Sequence, residues 1–253
     1  MSDFINTIDV LGDGAVADSI IDRTITEFKD NSIATVGRYA FANCTELTSV
    51  SLPSATVLDQ FAFNGCSKLT DVYLPEFITA YQEVFTGSGI TTMRFEKLQG
   101  IPPSFSKNCN SLTEVYLPVA TNSNEYLKSQ GAFQNCKNLS SVYIPNLTEV
   151  SGYMFYGCSA LECLDFPMLN NIATWSFASS GLKCLVLRNT EMVTLKGTDY
   201  VLPNTSTKVL VPSSLLEGYK VATNWSTFAD RLYALEDYTV DGTITGELDE
   251  SKI

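Results

Sequence analysis

Histidine is missing from all 253 residues of this chain. Its absence excludes His-based catalytic triads, His metal ligands and the usual titration near neutral pH. Basic charge is scarce. Sixteen Lys and Arg stand against 28 Asp and Glu, for a net charge of −12. The footprint of a nucleic-acid binder, or of a protein held on an anionic membrane, is therefore lacking. The acidity itself reads as a solubility device. No apolar run approaches the roughly 20 residues of a membrane helix. Met1 to Val10 show no basic region followed by a long apolar run, so neither a secretory leader nor membrane insertion is expected. There is no G-x-x-x-x-G-K-[ST] loop, no C-x-x-C and no G-x-S-x-G elbow. Nothing marks out a pair of carboxylates. These absences lead to the expectation of no enzymatic activity, no cofactor and no metal.

What the chain does contain is a repeat. Phe133-Gln134-Asn135-Cys136-Lys137-Asn138-Leu139-Ser140-Ser141-Val142-Tyr143-Ile144-Pro145 writes F-x-x-C-x-x-L-x-x-V-x-I/L-P. Phe41, Cys44, Leu47, Val50, Leu52 and Pro53 form one copy; Phe63, Cys66, Leu69, Val72, Leu74 and Pro75 follow 22 residues later. The third copy is weaker, with Phe85, Ile90, Met93 and Phe95, Ser88 near the Cys place and one residue lost. The fourth, from Phe105 to Pro118, gains one residue between Phe and Cys109. An insertion, about 121–130, precedes the fifth. The sixth runs from Phe155 to Pro167, and the seventh keeps Phe177, Leu182, Leu185 and Leu187 without Cys or Pro. An eighth retains only Val209-Leu210-Val211-Pro212.

One such unit cannot bury its own apolar face, so the copies must stack. The V-x-L part alternates as a strand does, with Val and Leu facing inward. Copies 22 residues apart set these strands side by side in parallel, about 4.8 Å apart. Seven rungs give a curved body on the order of 35 Å long. Proline after the strand ends the ladder. A second apolar track, Val36, Leu58, Val150 and Ile172, forms the other wall. Five of the seven cysteines hold the repeat position, as small buried hydrophobes rather than a disulfide framework. Reduced thiols fit assembly in the cytosol.

The expected organisation has four parts. Residues 1–32 form an N-terminal cap, with a short helix from Asp13 through Ile21 and a strand at Thr24 to Phe28 standing in for a preceding repeat. Residues 33–188 are the repeats. Residues 189–235 hold the degenerate repeat and a cap helix, begun by Ser213 or Ser214 and amphipathic through Leu215, Leu216, Tyr219, Val221, Trp225, Phe228, Leu232 and Leu235. Residues 236–253, with six acidic residues and one basic one, form a loose tail with one strand at Thr243 to Thr245.

These residues resemble the leucine-rich repeats of the BspA-like, Treponema-type class, over about residues 33–188. The A-F-x-x-C-x-x-L-x-x-V-x-L-P form stands as Ala40 to Pro53 and again as Ala62 to Pro75. The resemblance implies a right-handed leucine-rich-repeat solenoid, a parallel strand ladder of about seven 22-residue repeats capped at both ends. It also implies a non-enzymatic binding protein, often a surface adhesin. Asp3 to Asp13, Asp18 to Arg23 and Val211 to Trp225 resemble a second group, repeat proteins encoded in phages and prophages of gut Firmicutes and described as minor structural proteins. That second likeness favours a virion-associated protein, cytoplasmic before assembly. A bacterial cell-surface adhesin is the alternative. Either way the expected partner is a protein or glycan on a cell surface.

Candidate binding residues come from the outward side of each strand. One row reads Ser51, Tyr73, Arg94, Tyr116, Tyr143, Asp165, Val186. Tyr73, Arg94, Tyr116, Tyr143 and Asp165 make a candidate ligand strip, because Tyr and Arg are favoured where proteins grip partners or sugars. The same tyrosines also suit a half-exposed strand by propensity and cross-strand packing. The insertion supplies a second candidate contact through Asn122, Asn124, Glu125 and Tyr126, since such loops carry recognition in repeat proteins. Tyr39, Phe61, Tyr153 and Trp175, two residues before each Phe, read as turn packing. Cys163 and Cys184 fall at equivalent places in adjacent rungs. A disulfide or a metal is open to them, but accidental neighbours is the preferred reading.

Overall fold

The computed structural model describes residues 23–122, 131–203 and 206–238. The expected helix of residues 13–21 and the strand at Thr243 to Thr245 lie outside the described residues. The chain coils as a parallel β-solenoid with two strand ladders. In the first ladder, Glu27–Lys29, Ser49–Ser51 and Asp71–Tyr73 form one sheet, and Thr92–Arg94, Glu114–Tyr116 and Ser141–Tyr143 a second. The third sheet joins Cys163–Phe166, Cys184–Leu187, Lys208–Val211 and Leu232–Ala234. Every described pairing is parallel and in repeat register: Phe28 faces Val50 and Val50 faces Val72. The strand expected at Thr24 to Phe28 thus occupies the place of a preceding rung, although it begins at Glu27.

The second ladder is made of two-residue strands. Thr35–Val36, Val57–Leu58 and Thr79–Ala80 pair in one group, Gly100–Ile101 and Thr121–Asn122 in the next, and Glu149–Val150, Asn171–Ile172 and Thr194–Leu195 in the last. Val36, Leu58, Val150 and Ile172, the second apolar track, are fully buried on it. Between the ladders runs a column of phenylalanines. Phe41, Phe63, Phe85, Phe105, Phe133, Phe155 and Phe177 are all 0% exposed. Each such burial contributes about 1.5–3 kcal/mol, so this column is a principal source of cohesion. Rings stack at 5.0 Å from Phe41 to Phe63 and 5.6 Å from Phe63 to Phe85, within 9° of parallel.

The repeat-position thiols of Cys66, Cys109, Cys136 and Cys158 do more than fill small spaces. Cys66 Sγ donates to the Phe41 carbonyl at 2.9 Å, Cys109 to Phe85 at 2.9 Å, Cys136 to Ser106 at 3.0 Å and Cys158 to Phe133 at 3.1 Å. Cysteine suits the place because it is compact, apolar and carries one weak donor aimed at the previous turn.

Where the repeat loses a residue, glycine explains how. Ser88-Gly89-Ile90 and Ser180-Gly181-Leu182 each stand where the other copies spend one residue more. Gly89 N–H bonds Cys66 O at 3.0 Å and Gly181 N–H bonds Cys158 O at 3.1 Å. A Cβ at Gly89 would lie 2.4 Å from the Ser67 carbonyl oxygen, and one at Gly181 2.2 Å from that of Ser159. Only a residue without a side chain lets the shortened turn come that close.

The fourth copy accommodates its extra residue in a specific way. Ser106 N–H bonds Ala132 O, the bond that Phe41 N–H makes to Ala62 O. Ser106 therefore takes the backbone place of the column phenylalanine, and Phe105 enters the core from one residue earlier. Its ring meets Phe85 edge-on at 66° instead of stacking. Phe95 fills the adjoining space, stacked on Phe85 at 6.0 Å.

The C-terminal region departs from expectation in three respects. First, the apolar helix is short. It spans Ser213–Val221 (α1), and a 3-10 helix, Trp225–Arg231, follows. Leu232–Ala234 is then a strand in parallel register with Val209–Val211, because Leu-Tyr-Ala alternates inward and outward beside an open ladder edge. Second, Ser213 and Ser214 do not cap α1. The N-cap residue is Pro212, and the Ser213 N–H donates to Glu236 Oε2 at 2.8 Å. Third, Val221 is 81% exposed rather than packed. Tyr219 and Trp225 anchor the segment: Val193 N–H donates to the Tyr219 hydroxyl at 2.7 Å, and Trp225 Nε1 donates to Val193 O at 2.6 Å.

The eighth copy also holds more than a strand and a proline. Leu195 lies in the second ladder, and Trp175 N–H bonds Asp199 O as Tyr39 N–H bonds Gln60 O. Tyr200 therefore matches Phe61, and buried Leu202 matches Phe63.

Candidate functional site

The first ladder fixes the outward rows. A strand of three residues buries its central side chain and turns both neighbours to the opposite side. Register pairing aligns Lys29 with Ser51 and Tyr73, then Arg94 with Tyr116 and Tyr143, then Asp165 with Val186, Leu210 and Tyr233. The row is thus longer at both ends than the pattern V-x-L reveals.

Its middle is a packed array. The Arg94 guanidinium carbon sits 4.6 Å from the centroid of the Tyr116 ring. Tyr116 in turn stacks on Tyr143 at 5.0 Å and 14°. Arg94 also forms a salt bridge with Glu114 of the neighbouring row. Arg94 and Glu114 thus hold the column from one side, with Tyr143 at its other end. Tyr143 is 50% exposed and Tyr73, one rung before Arg94, is 56% exposed. Of the five predicted strip residues, the structure brings Arg94, Tyr116 and Tyr143 into direct contact. Tyr73 extends the row, and Asp165 is engaged elsewhere: Arg188 Nε donates to its Oδ2 at 2.8 Å.

Beyond Asp165 the outward side is no longer open. Cys184, Val186 and Leu210 are buried, with Tyr233 of the last rung and with Leu235 and Tyr238 packed against them. The chain folds over the ladder there, so Val186 is a packing residue. The candidate surface is the part from Tyr73 to Tyr143. Of the loop candidates, Asn122 closes the strand Thr121–Asn122, while Asn124, Glu125 and Tyr126 lie outside the described residues.

The aromatic residues two places before the column phenylalanines form two stacks of their own, separated by rungs that include Glu83. Tyr39 stacks on Phe61 at 4.6 Å and 1°, Tyr153 on Trp175 at 5.9 Å, and Trp175 on Tyr200 at 4.2 Å. These residues share a left-handed backbone, with φ between 51° and 63°. For a bulky L-residue that conformation costs about 1–2 kcal/mol. A stacked pair returns about 0.5–1.5 kcal/mol, so stacking offsets most of the strain. The rings cover one another's faces within each stack and so pack the turns. Tyr200 was missing from the sequence pattern because its phenylalanine is replaced by Leu202.

Burial raises the thiols of the core cysteines. Desolvation pushes Cys66 and Cys158 up to about 12 and Cys109 to about 11. They are therefore protonated donors and not nucleophiles. Among the described residues no three His, Cys, Asp or Glu side chains gather as a metal group, and no helix is long and apolar enough to cross a membrane.

A ladder of parallel strands at 22-residue spacing, with an aromatic and arginine array on its outward rows, defines a leucine-rich repeat solenoid. The chain belongs to the BspA type leucine rich repeat family, whose model matches residues 17–128 and 127–214 in six copies. Among solved structures, a leucine-rich repeat protein from Eubacterium ventriosum is similar, at 24% identity and a TM-score of 0.55. The match covers 67% of this chain and 45% of that one, so this chain spans less than half of that protein's length. A Bacteroides ovatus leucine-rich repeat protein is 18% identical with a TM-score of 0.51, over 80% of this chain and 58% of that one. The Treponema pallidum leucine rich repeat protein is 25% identical with a TM-score of 0.51, over 64% and 74%. No curated protein matches the chain.

Proposed function

We propose that this chain is a non-enzymatic recognition protein that binds a protein partner through the surface from Tyr73 to Tyr143. The observation that carries the reading is the Arg94–Tyr116–Tyr143 column. Its rings are prearranged by the ladder, half-exposed, and of the residue types that dominate binding energy. Prearrangement lowers the ordering cost of association. A glycan is the second ligand class, favoured by the half-exposed ring of Tyr143, since aromatic rings offer a surface for the C–H side of a sugar. The loop around Asn122, Asn124, Glu125 and Tyr126 is a further proposed contact. The terminal likeness to phage- and prophage-encoded proteins supports a virion-associated location, and the family's frequent role as adhesins supports a bacterial cell surface.

Mass spectrometry of two fractions of the source culture separates these locations. Enrichment in particles purified after induction supports the virion. Enrichment in washed cell envelopes supports the adhesin. Enrichment in neither, with the chain free in the cytosol, contradicts recognition at an external surface.

A further inference from the structure

Two of the seven cysteines stand off the repeat position. Cys163 and Cys184 open consecutive strands of the first ladder and are register partners. The earlier rungs hold Glu27, Ser49, Asp71, Thr92, Glu114 and Ser141 at this place. Parallel partners lie about 4.8 Å apart, inside the roughly 4.4–6.8 Å Cα window of a disulfide. Their side chains share one side of the sheet. Cys184 is fully buried in the cluster that Tyr233, Leu235 and Tyr238 pack against, whereas Cys163 is only half-buried. Cys163 is therefore the more accessible of the pair, and Cys184 stands beside it in the next rung. The five repeat-position thiols are all 0% exposed. Those of Cys66, Cys109, Cys136 and Cys158 point at backbone carbonyls of the preceding turn.

We propose that Cys163 and Cys184 form a cross-rung dithiol which a small-molecule disulfide converts into an intramolecular disulfide, stapling two rungs beside the recognition strip. The Cys163 thiolate attacks one sulfur of the reagent and releases one small thiolate, leaving a mixed disulfide on Cys163. The Cys184 sulfur then attacks the Cys163 sulfur and displaces the second small thiolate, which takes up the Cys184 proton. Two protein thiols are oxidised and one small disulfide is reduced to two thiols. The order follows from the site. The neighbouring Cys163 thiol, and then burial, push the Cys184 thiol far above its ordinary value. Cys184 keeps its proton until its partner is activated, and the more exposed Cys163 reacts first. This reading is independent of what the strip binds.

The test treats the folded full chain with oxidised glutathione at neutral pH, followed by blocking of remaining thiols, digestion and mass spectrometry. The expected product has lost about 2 Da, with Cys163 and Cys184 linked and the other five thiols unreacted. Its unfolding midpoint rises by about 5 °C, and a reductant reverses the rise. C184S is expected to stop at a glutathione adduct of about 305 Da on Cys163, and C163S to give neither adduct nor link. A stable adduct on the unsubstituted chain without closure overturns the proposal. So does a link between other cysteines, the absence of any reaction, or oxidation of folded C163S. C163S keeps the test decisive if C184S fails to fold, since its site is only half-buried.

Discussion

At the scale of single residues, the repeat cysteines show how one atom serves two ends. Their sulfur fills a space too small for a branched side chain and donates to a carbonyl of the preceding turn. Cys66→Ala removes both the packing and the donor, and is expected to cost about 1–2 kcal/mol. A urea titration read by circular dichroism measures it, and a loss below about 0.3 kcal/mol contradicts the dual role. The same thiols set a pH dependence. Their folded pKa values, about 11 to 12, lie above the ordinary 9.0. The unfolded chain therefore loses these protons first as pH rises. Their stabilising contribution is complete below about pH 9 and is lost progressively up to about pH 12. Thermal melts at pH 8 and pH 10.5 are expected to show a clear fall in midpoint, smaller in Cys66→Ala than in the unsubstituted chain. An equal fall in both places the alkaline loss elsewhere.

At the scale of elements, the repeat is read most easily where its residues face the core. Val and Leu of each strand, the phenylalanine column and the second track all carry a spacing that burial enforces. Elements whose partners are distant were harder to see. Leu232–Ala234 looks like the end of an amphipathic helix in isolation, and only the free edge at Lys208–Val211 makes it a strand. Tyr200 and Leu202 keep their structural places while changing the letters of the motif. The pattern shows the extra residue between Phe105 and Cys109, but not that Ser106 takes the backbone place of the column phenylalanine. Hydroxyls just before the strands add a further row. Thr48 Oγ1 donates to Thr26 O at 2.8 Å and Thr113 Oγ1 to Thr91 O at 3.1 Å, each across 22 residues.

The shortened turns give this scale its prediction. Gly181→Ala places a methyl 2.2 Å from the Ser159 carbonyl oxygen, backbone that cannot swing aside. A loss of about 2–4 kcal/mol is expected, from overpacking and from weakening of the Gly181–Cys158 bond. Alanine at Gly87, whose added Cβ would meet nothing closer than 3.9 Å, carries only the strain of its left-handed backbone, about 1 kcal/mol. Chemical denaturation of the two variants compares them. Equal costs would show that the close approach at Gly181 is not what the shortened turn needs.

At the scale of the whole molecule, cohesion comes from the continuous core and the ladders rather than from surface charge. Lys68–Glu46, Lys97–Glu76 and Lys183–Glu162 each bridge adjacent rungs, but all are exposed and contribute at most about 1 kcal/mol apiece. Surface residues are thereby free to differ from rung to rung, and this freedom is what lets a ladder carry recognition. The candidate strip was legible in part. Alternation put Tyr73, Arg94, Tyr116 and Tyr143 on one row, yet it gave no sign that Leu235 and Tyr238 pack against the row beyond Asp165. That packing depends on a chain reversal far along the sequence.

The most direct test of recognition through this strip is binding of the fluorescently labelled chain to cells and to purified particles from the source culture. The unsubstituted chain is compared with Arg94→Ala/Tyr143→Ala and with Tyr81→Ala, an exposed tyrosine outside the strip. Saturable binding is predicted for the unsubstituted chain and for Tyr81→Ala. The double variant, folded by circular dichroism, is predicted to bind at least about tenfold more weakly. Undiminished binding by the folded double variant would contradict the account.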